Sequence, residues 1–300
     1  METTKYIWMN GKFVKWADAK IHILTHTLHY GCGVFEGIRV YKTEKGPAIF
    51  RLKEHTKRLF YSAKVMKIKI PYSEDQINRA TLETVRKNKL DQGYIRPIVY
   101  LGYGKMGLNP VGAPIDVSIS CWPWGKYLSE DPIDVKIVKT MRLDPRTCVT
   151  DAKVTGHYFN SIKAVHEIIG TKYKEALLLD FKGNIAEGPG ENFFMVKKDV
   201  IFTPPLGTIL NGITRDTEMK LAKDLGLKVV EKTLRPKDVY RADEAFFTGT
   251  AAEVTPIRSV DDHVFGDGGI GPVTSVLKEA YMETVVGKNK KYLRYLSFAK

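Results

Sequence analysis

Two hydrophobic periods alternate along the chain. In "KYIWMNGKFVKW" apolar and polar residues alternate on either side of Asn10-Gly11, which predicts two strands joined by a tight hairpin. At Arg51 the step lengthens. In "RLKEHTKRLFYSAKVM" Leu52, His55, Leu59, Ala63 and Met66 recur at helical spacing and predict an amphipathic helix. Ser73, followed three residues later by Gln76, forms a capping box for a second helix with Ile77, Leu82 and Val85 on its packing side. "YIRPIVYLGY" and "DVSISCW" return to strand patterning around the glycine-rich "GKMGLNPVGAP".

The aperiodic, turn-rich stretch "WPWGKYLSEDP" interrupts this order. Beyond it, strands are predicted at "DVKIVKT", "EALLLD", "NFFMVK", "VIFTPP", "KVVEKT" and "EAFFTGT". Helices are predicted from about Tyr158, after Gly212 with a stop at Gly226, and at the C-terminal end. The expected division is a small α/β domain over 1–122, a connecting loop over 123–133 and a larger domain over 134–300. With no internal repeat, the fold class is α+β or mixed α/β.

Composition narrows the function mainly by exclusion. The formal net charge is +13, but the lysines are scattered and no nucleic-acid motif accompanies them, so nucleic acid is not an expected partner. No apolar run approaches the roughly 18 residues of a membrane span, so no membrane partner is expected. "METTKYIWMNGK" lacks a charged region followed by an apolar one. Cys32, Cys121 and Cys148 are odd in number and far apart, which supports neither a disulfide framework nor a zinc pair and favours a reducing cytoplasm. His22, His26 and His29 stand at helical steps without an acidic ligand, so no metal is expected. A GxSxG elbow and a Walker loop are absent, and "GYGKMG" lacks the strand–turn–helix setting of a dinucleotide loop.

Residues suited to chemistry stand at the punctuated positions. Lys153 lies five residues before Tyr158 at the start of a predicted helix; alone it is a surface lysine. Gly212 opens a helix whose first turn holds Ile213 and Thr214, and its amides, dipole and hydroxyl suit a phosphate, although an ordinary cap uses the same residues. In "TGTAAE", Gly249, Thr250, Ala251 and Ala252 let backbone amides approach an anion closely. Arg58 offers a third anion contact. Glu187, before a rigid Gly-Pro-Gly turn, is either a turn residue or the partner of a cationic ring nitrogen. An amine, a phenol, a carboxylate and two phosphate cradles together are what pyridoxal 5'-phosphate requires. The lysine forms a Schiff base with the aldehyde, the carboxylate keeps the pyridine nitrogen protonated, and the phenol bonds the ring oxygen.

The stretches "HYGCGVFEGIRVY", "YIRPIVYLGYGKMGLNP", "DAKVTGHYFNS", "IAEGPGENFF", "LNGITRD" and "FFTGTAAEVTPI" span nearly the whole chain. Together and in this order they resemble the branched-chain amino acid aminotransferases, fold-type IV pyridoxal-phosphate enzymes. The resemblance implies two domains of that type, an active site at the domain interface and the cofactor lysine in the larger domain. It implies Lys153 as the Schiff-base lysine, Tyr158 as partner of the cofactor's 3'-oxygen and Glu187 on the pyridine nitrogen. Arg58, the amides of Ile213 and Thr214 after Gly212, and Thr250 would hold the phosphate, with Leu210 packed on the ring. Phe35, Tyr30, Trp124, Tyr127 and Leu108 match the pocket for a branched side chain. Tyr30 and Leu108 would come from the neighbouring subunit, so a homodimer is the minimal unit and a higher homo-oligomer stays open. Tyr94 with the amides of Thr250 and Ala251 would take the α-carboxylate, and Arg96 the distal carboxylate of glutamate or 2-oxoglutarate. Without the resemblance these aromatics read as core and Arg96 as an ion-pair residue. Cys32 and Asn211 depart from the family pattern and bear on pocket shape.

The implied activity is transfer of the amino group of L-leucine, L-isoleucine or L-valine to 2-oxoglutarate, the small-molecule partners being amino acids and 2-oxo acids. The alternatives within the fold are a D-amino-acid transaminase and an aminodeoxychorismate lyase. Outside catalysis, the alternative is a protein that only binds pyridoxal phosphate or another phosphorylated ligand.

Overall fold

The computed structural model describes residues 2–125 and 127–299; Lys126, within the expected 123–133 connection, and the two terminal residues lie outside the described residues. The first strands are β1 (Tyr6–Met9), β2 (Lys12–Lys15), β3 (Gly33–Phe35), β4 (Ile38–Thr43), β5 (Gly46–Phe50), β6 (Gly93–Leu101) and β7 (Ile115–Trp122). They are followed by β8 (Ile133–Ile137), β9 (Glu175–Leu177), β10 (Asn192–Lys197), β11 (Val200–Thr203) and β12 (Lys228–Glu231). The last are β13 (Glu244–Gly249), β14 (Glu253–Val260), β15 (His263–Val264) and β16 (Leu296–Phe298). The helices are α1 (His26–Tyr30), α2 (Leu52–Val65), α3 (Glu74–Lys87), α4 (Tyr158–His166), α5 (Ile213–Asp224), α6 (Pro236–Val239) and α7 (Pro272–Val285).

Two compact units form: Met1–Gly125 with Ala152–His157 and Thr284–Lys300, and Lys126–Asp151 with Tyr158–Glu283. The first carries an antiparallel sheet in the order β16-β5-β4-β6-β7-β1-β2, with β3 on β6. The opening hairpin turns on Asn10 and Gly11, both at positive φ (48° and 89°), which matches the twist of its strands. Leu52, His55, Leu59 and Ala63 form the buried side of α2, and Met66 caps its C-terminal end. The capping box of α3 is present: Gln76 N–H donates to Ser73 Oγ (3.2 Å) and Ser73 N–H to Gln76 Oε1 (2.8 Å).

This partition differs from a division at 1–122, 123–133 and 134–300. Residues 152–157, and Lys153 with them, belong to the first unit. Val154 bridges Val34, and Phe35 N–H donates to Lys153 O at 3.1 Å. Residues 284–300 join the same unit because β16 pairs with β5. Both pairings link segments more than a hundred residues apart, which periodicity does not register.

The second unit carries a mixed sheet in the order β12-β11-β10-β13-β14-β8-β9, with β15 on β14 and parallel steps at β11/β12, β14/β8 and β8/β9. Phe193, Met195, Phe247, Ile257, Leu234 and Val239 pack in its core. "VIFTPP" leaves the sheet after Thr203, where two prolines lack the N–H groups a ladder needs. Beyond α5, Gly226 takes φ +75°, the left-handed turn that ends the helix.

Candidate functional site

In the first unit two hydrogen bonds pin the backbone of Lys153 and a third fixes the chain just after it. Its N–H donates to Ser62 Oγ (2.9 Å) and its carbonyl accepts from Phe35 N–H, while Thr155 Oγ1 donates to Gly31 O (2.7 Å). Gly31 stands at φ +66°, and a Cβ there would lie 2.9 Å from Gly156 Cα, so only glycine permits this approach. Lys153 Nζ is left 5.0 Å from the centre of the Phe35 ring.

Beside it, Glu36 is fully buried and accepts three hydrogen bonds: from Arg58 Nε (2.6 Å), Arg58 Nη2 (2.9 Å) and His55 Nδ1 (2.7 Å). A carboxylate only accepts, so the His55 proton lies on Nδ1. Burial pushes the Glu36 carboxyl up, but the charge and hydrogen bonds of Arg58, with the His55 bond, outweigh it and hold the carboxyl well below the usual range. Burial is also the main influence on His55 and lowers it, leaving a neutral ring.

Arg96 on β6 places its guanidinium 4.8 Å from the Phe35 ring centre and 5.5 Å from that of Tyr94. Its Nε is buried without a hydrogen-bond partner, an orphaned donor where an acidic guest would be accepted. Tyr94 is buried and packs edge-on against Trp124 at 4.5 Å. A Cβ on Gly37 would fall 1.8 Å from the Tyr94 hydroxyl oxygen. Phe35, Tyr94, Arg96 and Lys153 are thus gathered, with Trp124 against Tyr94. Tyr30 and Leu108 are exposed side chains, Leu108 at 87%. Of the three N-terminal histidines, His22 and His29 make local bonds, His22 Nδ1 accepting Leu24 N–H and His29 Nε2 meeting Ile23 O, while His26 Nε2 meets the distant Gly107 O.

In the second unit the centre is Glu187, buried and bridged to Asn192 across the Gly-Pro-Gly turn. Its oxygens accept from Arg142 Nε (2.5 Å), Asn192 Nδ2 (3.1 Å) and Leu210 N–H (3.0 Å). Asn192 Nδ2 also donates to Leu210 O (2.9 Å), so one amide ties the carboxylate to the segment entering α5. Gly212 is the N-cap of α5, and a Cβ at 212 would lie 1.9 Å from Asn192 Oδ1. Ile213 and Thr214 follow, both buried. Tyr158 begins α4, and one turn on Ser161 Oγ donates to Pro189 O (2.7 Å) beside the same turn. Thr250 and Ala251 occupy the β13–β14 turn, where Thr255 Oγ1 holds Ala252 O (2.8 Å). Tyr127 lines a cavity of about 70 Å³ with Ala251, Lys278 and Tyr281.

The family model of the class IV amino-transferases matches residues 33–260, a span that contains Glu36, Arg58, Arg96, Lys153 and Glu187. The chain belongs to the class IV aminotransferases. This aminotransferase is 49% identical over 298 residues to a branched-chain-amino-acid aminotransferase of Pseudomonas aeruginosa, covering 98% of this chain and 97% of that one. It is 45% identical to that of Escherichia coli K12, with 96% of each chain covered. Among solved structures, the Escherichia coli branched-chain amino acid aminotransferase superposes with a TM-score of 0.96 at 43% identity, covering 99% of this chain and 100% of that one. The branched-chain amino acid aminotransferase of Thermobaculum terrenum, in its PLP-bound holo-form, gives 0.94 at 34% identity and full coverage of both chains.

Glu36, His55 and Ser62 in the first unit, and Arg142 and Asn192 in the second, are absent from the set read from the sequence. Asn192 had a signal, five residues after Glu187 in "GPGENFF". Arg142 had none, because its contact with Glu187 spans 45 residues, farther than any local pattern reaches.

Proposed function

We propose that this chain is a pyridoxal-phosphate-dependent aminotransferase that moves the amino group of L-leucine, L-isoleucine or L-valine to 2-oxoglutarate. The observation that carries this reading is Glu187, a buried carboxylate held by three donors beside Gly212, the N-cap of α5. A carboxylate acceptor next to the first amides of a helix fits a phosphorylated pyridine. The full-length likeness to branched-chain-amino-acid aminotransferases supplies the substrate class.

Pyridoxal phosphate, when bound, supplies an aldehyde that captures amines and a cationic ring that takes up the electron pair left at a deprotonated Cα. Lys153 would provide the capturing amine, and its Nζ would hold or move the proton at the substrate Cα. Glu187 would hold the proton on the ring nitrogen, and Arg142 pairs with Glu187 through Nε. Tyr158 would donate to the ring oxygen and Leu210 would pack on the ring, and Arg58, the Ile213 and Thr214 amides and Thr250 would be the groups that hold the phosphate. Tyr94, Thr250 and Ala251 take the α-carboxylate. Arg96, with its orphaned Nε, accepts the distal carboxylate of the acidic substrate, so one pocket serves apolar and acidic substrates in turn. Phe35, Trp124 and Tyr127 line the side-chain pocket. Tyr30 and Leu108 complete it from the neighbouring subunit of a homodimer, a role that accounts for leaving a leucine exposed. Three free cysteines suit a reducing cytoplasm.

The test is the visible absorption spectrum of the purified protein before and after L-leucine. A yellow band that L-leucine converts to the pyridoxamine form is the expected result. A band that ignores L-leucine but responds to a D-amino acid, or no band after incubation with pyridoxal phosphate, would overturn the assignment.

A further inference from the structure

We infer that Glu36, supported by His55, is a positioning residue that sets the Arg58 guanidinium for the cofactor phosphate. The inference rests on the phosphate role proposed for Arg58. It begins with the helix face. His55, Arg58 and Ser62 recur at i, i+3 and i+7 on α2, so one stripe carries all three side chains. His55 and Arg58 bond the Glu36 carboxylate, and Ser62 Oγ accepts the Lys153 N–H. The phosphate contact and the backbone of the cofactor lysine therefore hang on a single rigid face.

Glu36 is itself fixed. It follows β3, and its N–H donates to Pro97 O at 2.9 Å on β6. The two bonds from Arg58 engage one edge of the guanidinium fork and so define its plane and direction. An arginine side chain loses considerable rotamer freedom when it binds a ligand; here that loss is met in the folded chain, before any phosphate arrives. A fully buried carboxylate also offsets much of the attraction Arg58 has for a dianion. Its value to the site is orientation, and charge alone would have been better served without it.

The experiment compares pyridoxal 5'-phosphate with pyridoxal on the full-length chain. Both present the same aldehyde to Lys153, so the ratio of their affinities isolates the phosphate grip. Wild type is expected to favour the phosphorylated form strongly, and Arg58→Met to lose much of that ratio. Glu36→Gln is expected to lower the ratio about tenfold, the effect of one misdirected charge-assisted contact, with pyridoxal affinity nearly unchanged. In the Arg58→Met background Glu36→Gln should add no further loss, and the 31P signal of the bound cofactor should shift in the single variant. A folded Glu36→Gln protein with the wild-type ratio, alongside a reduced ratio in Arg58→Met, overturns the inference and leaves the phosphate role of Arg58 standing. An unchanged ratio in Arg58→Met removes that role and the inference together. Should Glu36→Gln fail to fold, His55→Phe decides: a lowered ratio supports the positioning role and an unchanged one refutes it.

Discussion

At position 212 a methyl group would lie 1.9 Å from Asn192 Oδ1, and Asn192 is the side chain that joins Glu187 to Leu210. Gly212→Ala must therefore push Asn192 off its partners, and is expected to cost about 1–3 kcal/mol of stability in urea unfolding and to weaken cofactor binding in a titration. Lys153→Ala is a different kind of change. The backbone bonds to Ser62 and Phe35 remain, and the lost side chain hovers over the Phe35 ring, so the melting temperature should move little. The half-reaction with L-leucine, followed by absorbance, should slow by at least about 10³-fold, since amine capture and proton transfer both go with Nζ; near-normal turnover would remove Lys153 from the chemistry. Lys153 and Glu187 stand out in the sequence by residue type at a motif position. Arg142, which bonds Glu187, and Glu36, which bonds Arg58, do not, because their partners are set by the fold.

The elements divide along a similar line. The helices α2 and α3 follow from local periodicity, and the capping box of α3 was written in Ser73 and Gln76. Its hydroxyl satisfies an amide that no carbonyl reaches, so Ser73→Ala should cost about 1 kcal/mol, read as a lower denaturant midpoint at unchanged slope. By contrast "VFEGIRVY", which becomes β3 and β4, carries no clean alternation. Glu36 and Arg39 are both buried there, one against Arg58 and His55, the other donating to Gly125 O at 2.9 Å. Charged residues in a core mimic a solvated segment until their partners are known. The edge partner β16 was hidden for another reason: three residues pair with β5 across some 250 positions, a contact that no window along the chain contains.

Across the molecule, buried carboxylates pull the pH dependence of stability in opposite directions. Glu36 is held well below the usual range, so its contribution is present above about pH 4, where unfolded glutamates ionise, and is lost as the pH falls. Glu175 on β9 is raised to about 7 by burial, against one hydrogen bond from Ala176 N–H. Glu218 on α5 is raised in the same direction by burial, fully buried with neither oxygen hydrogen-bonded. For these two the native state keeps a proton that the unfolded chain releases, so the stability they contribute is complete below about pH 4 and is lost as the pH rises through the folded value. A second trend opposes this one: the net charge of +13 grows as histidines protonate, and self-repulsion then weakens the fold toward acid. Salt separates the two, because it screens surface repulsion and leaves buried groups nearly untouched. In urea unfolding at high salt, wild type should therefore lose stability between pH 5 and pH 8, and Glu175→Gln should flatten the part of that loss below about pH 7. Glu218→Met, which replaces an unpartnered acid by an apolar side chain of similar size, should gain on wild type more at pH 8 than at pH 5, by on the order of 1–3 kcal/mol. An equal difference at both pH values would mean that Glu218 does not exchange its proton on folding.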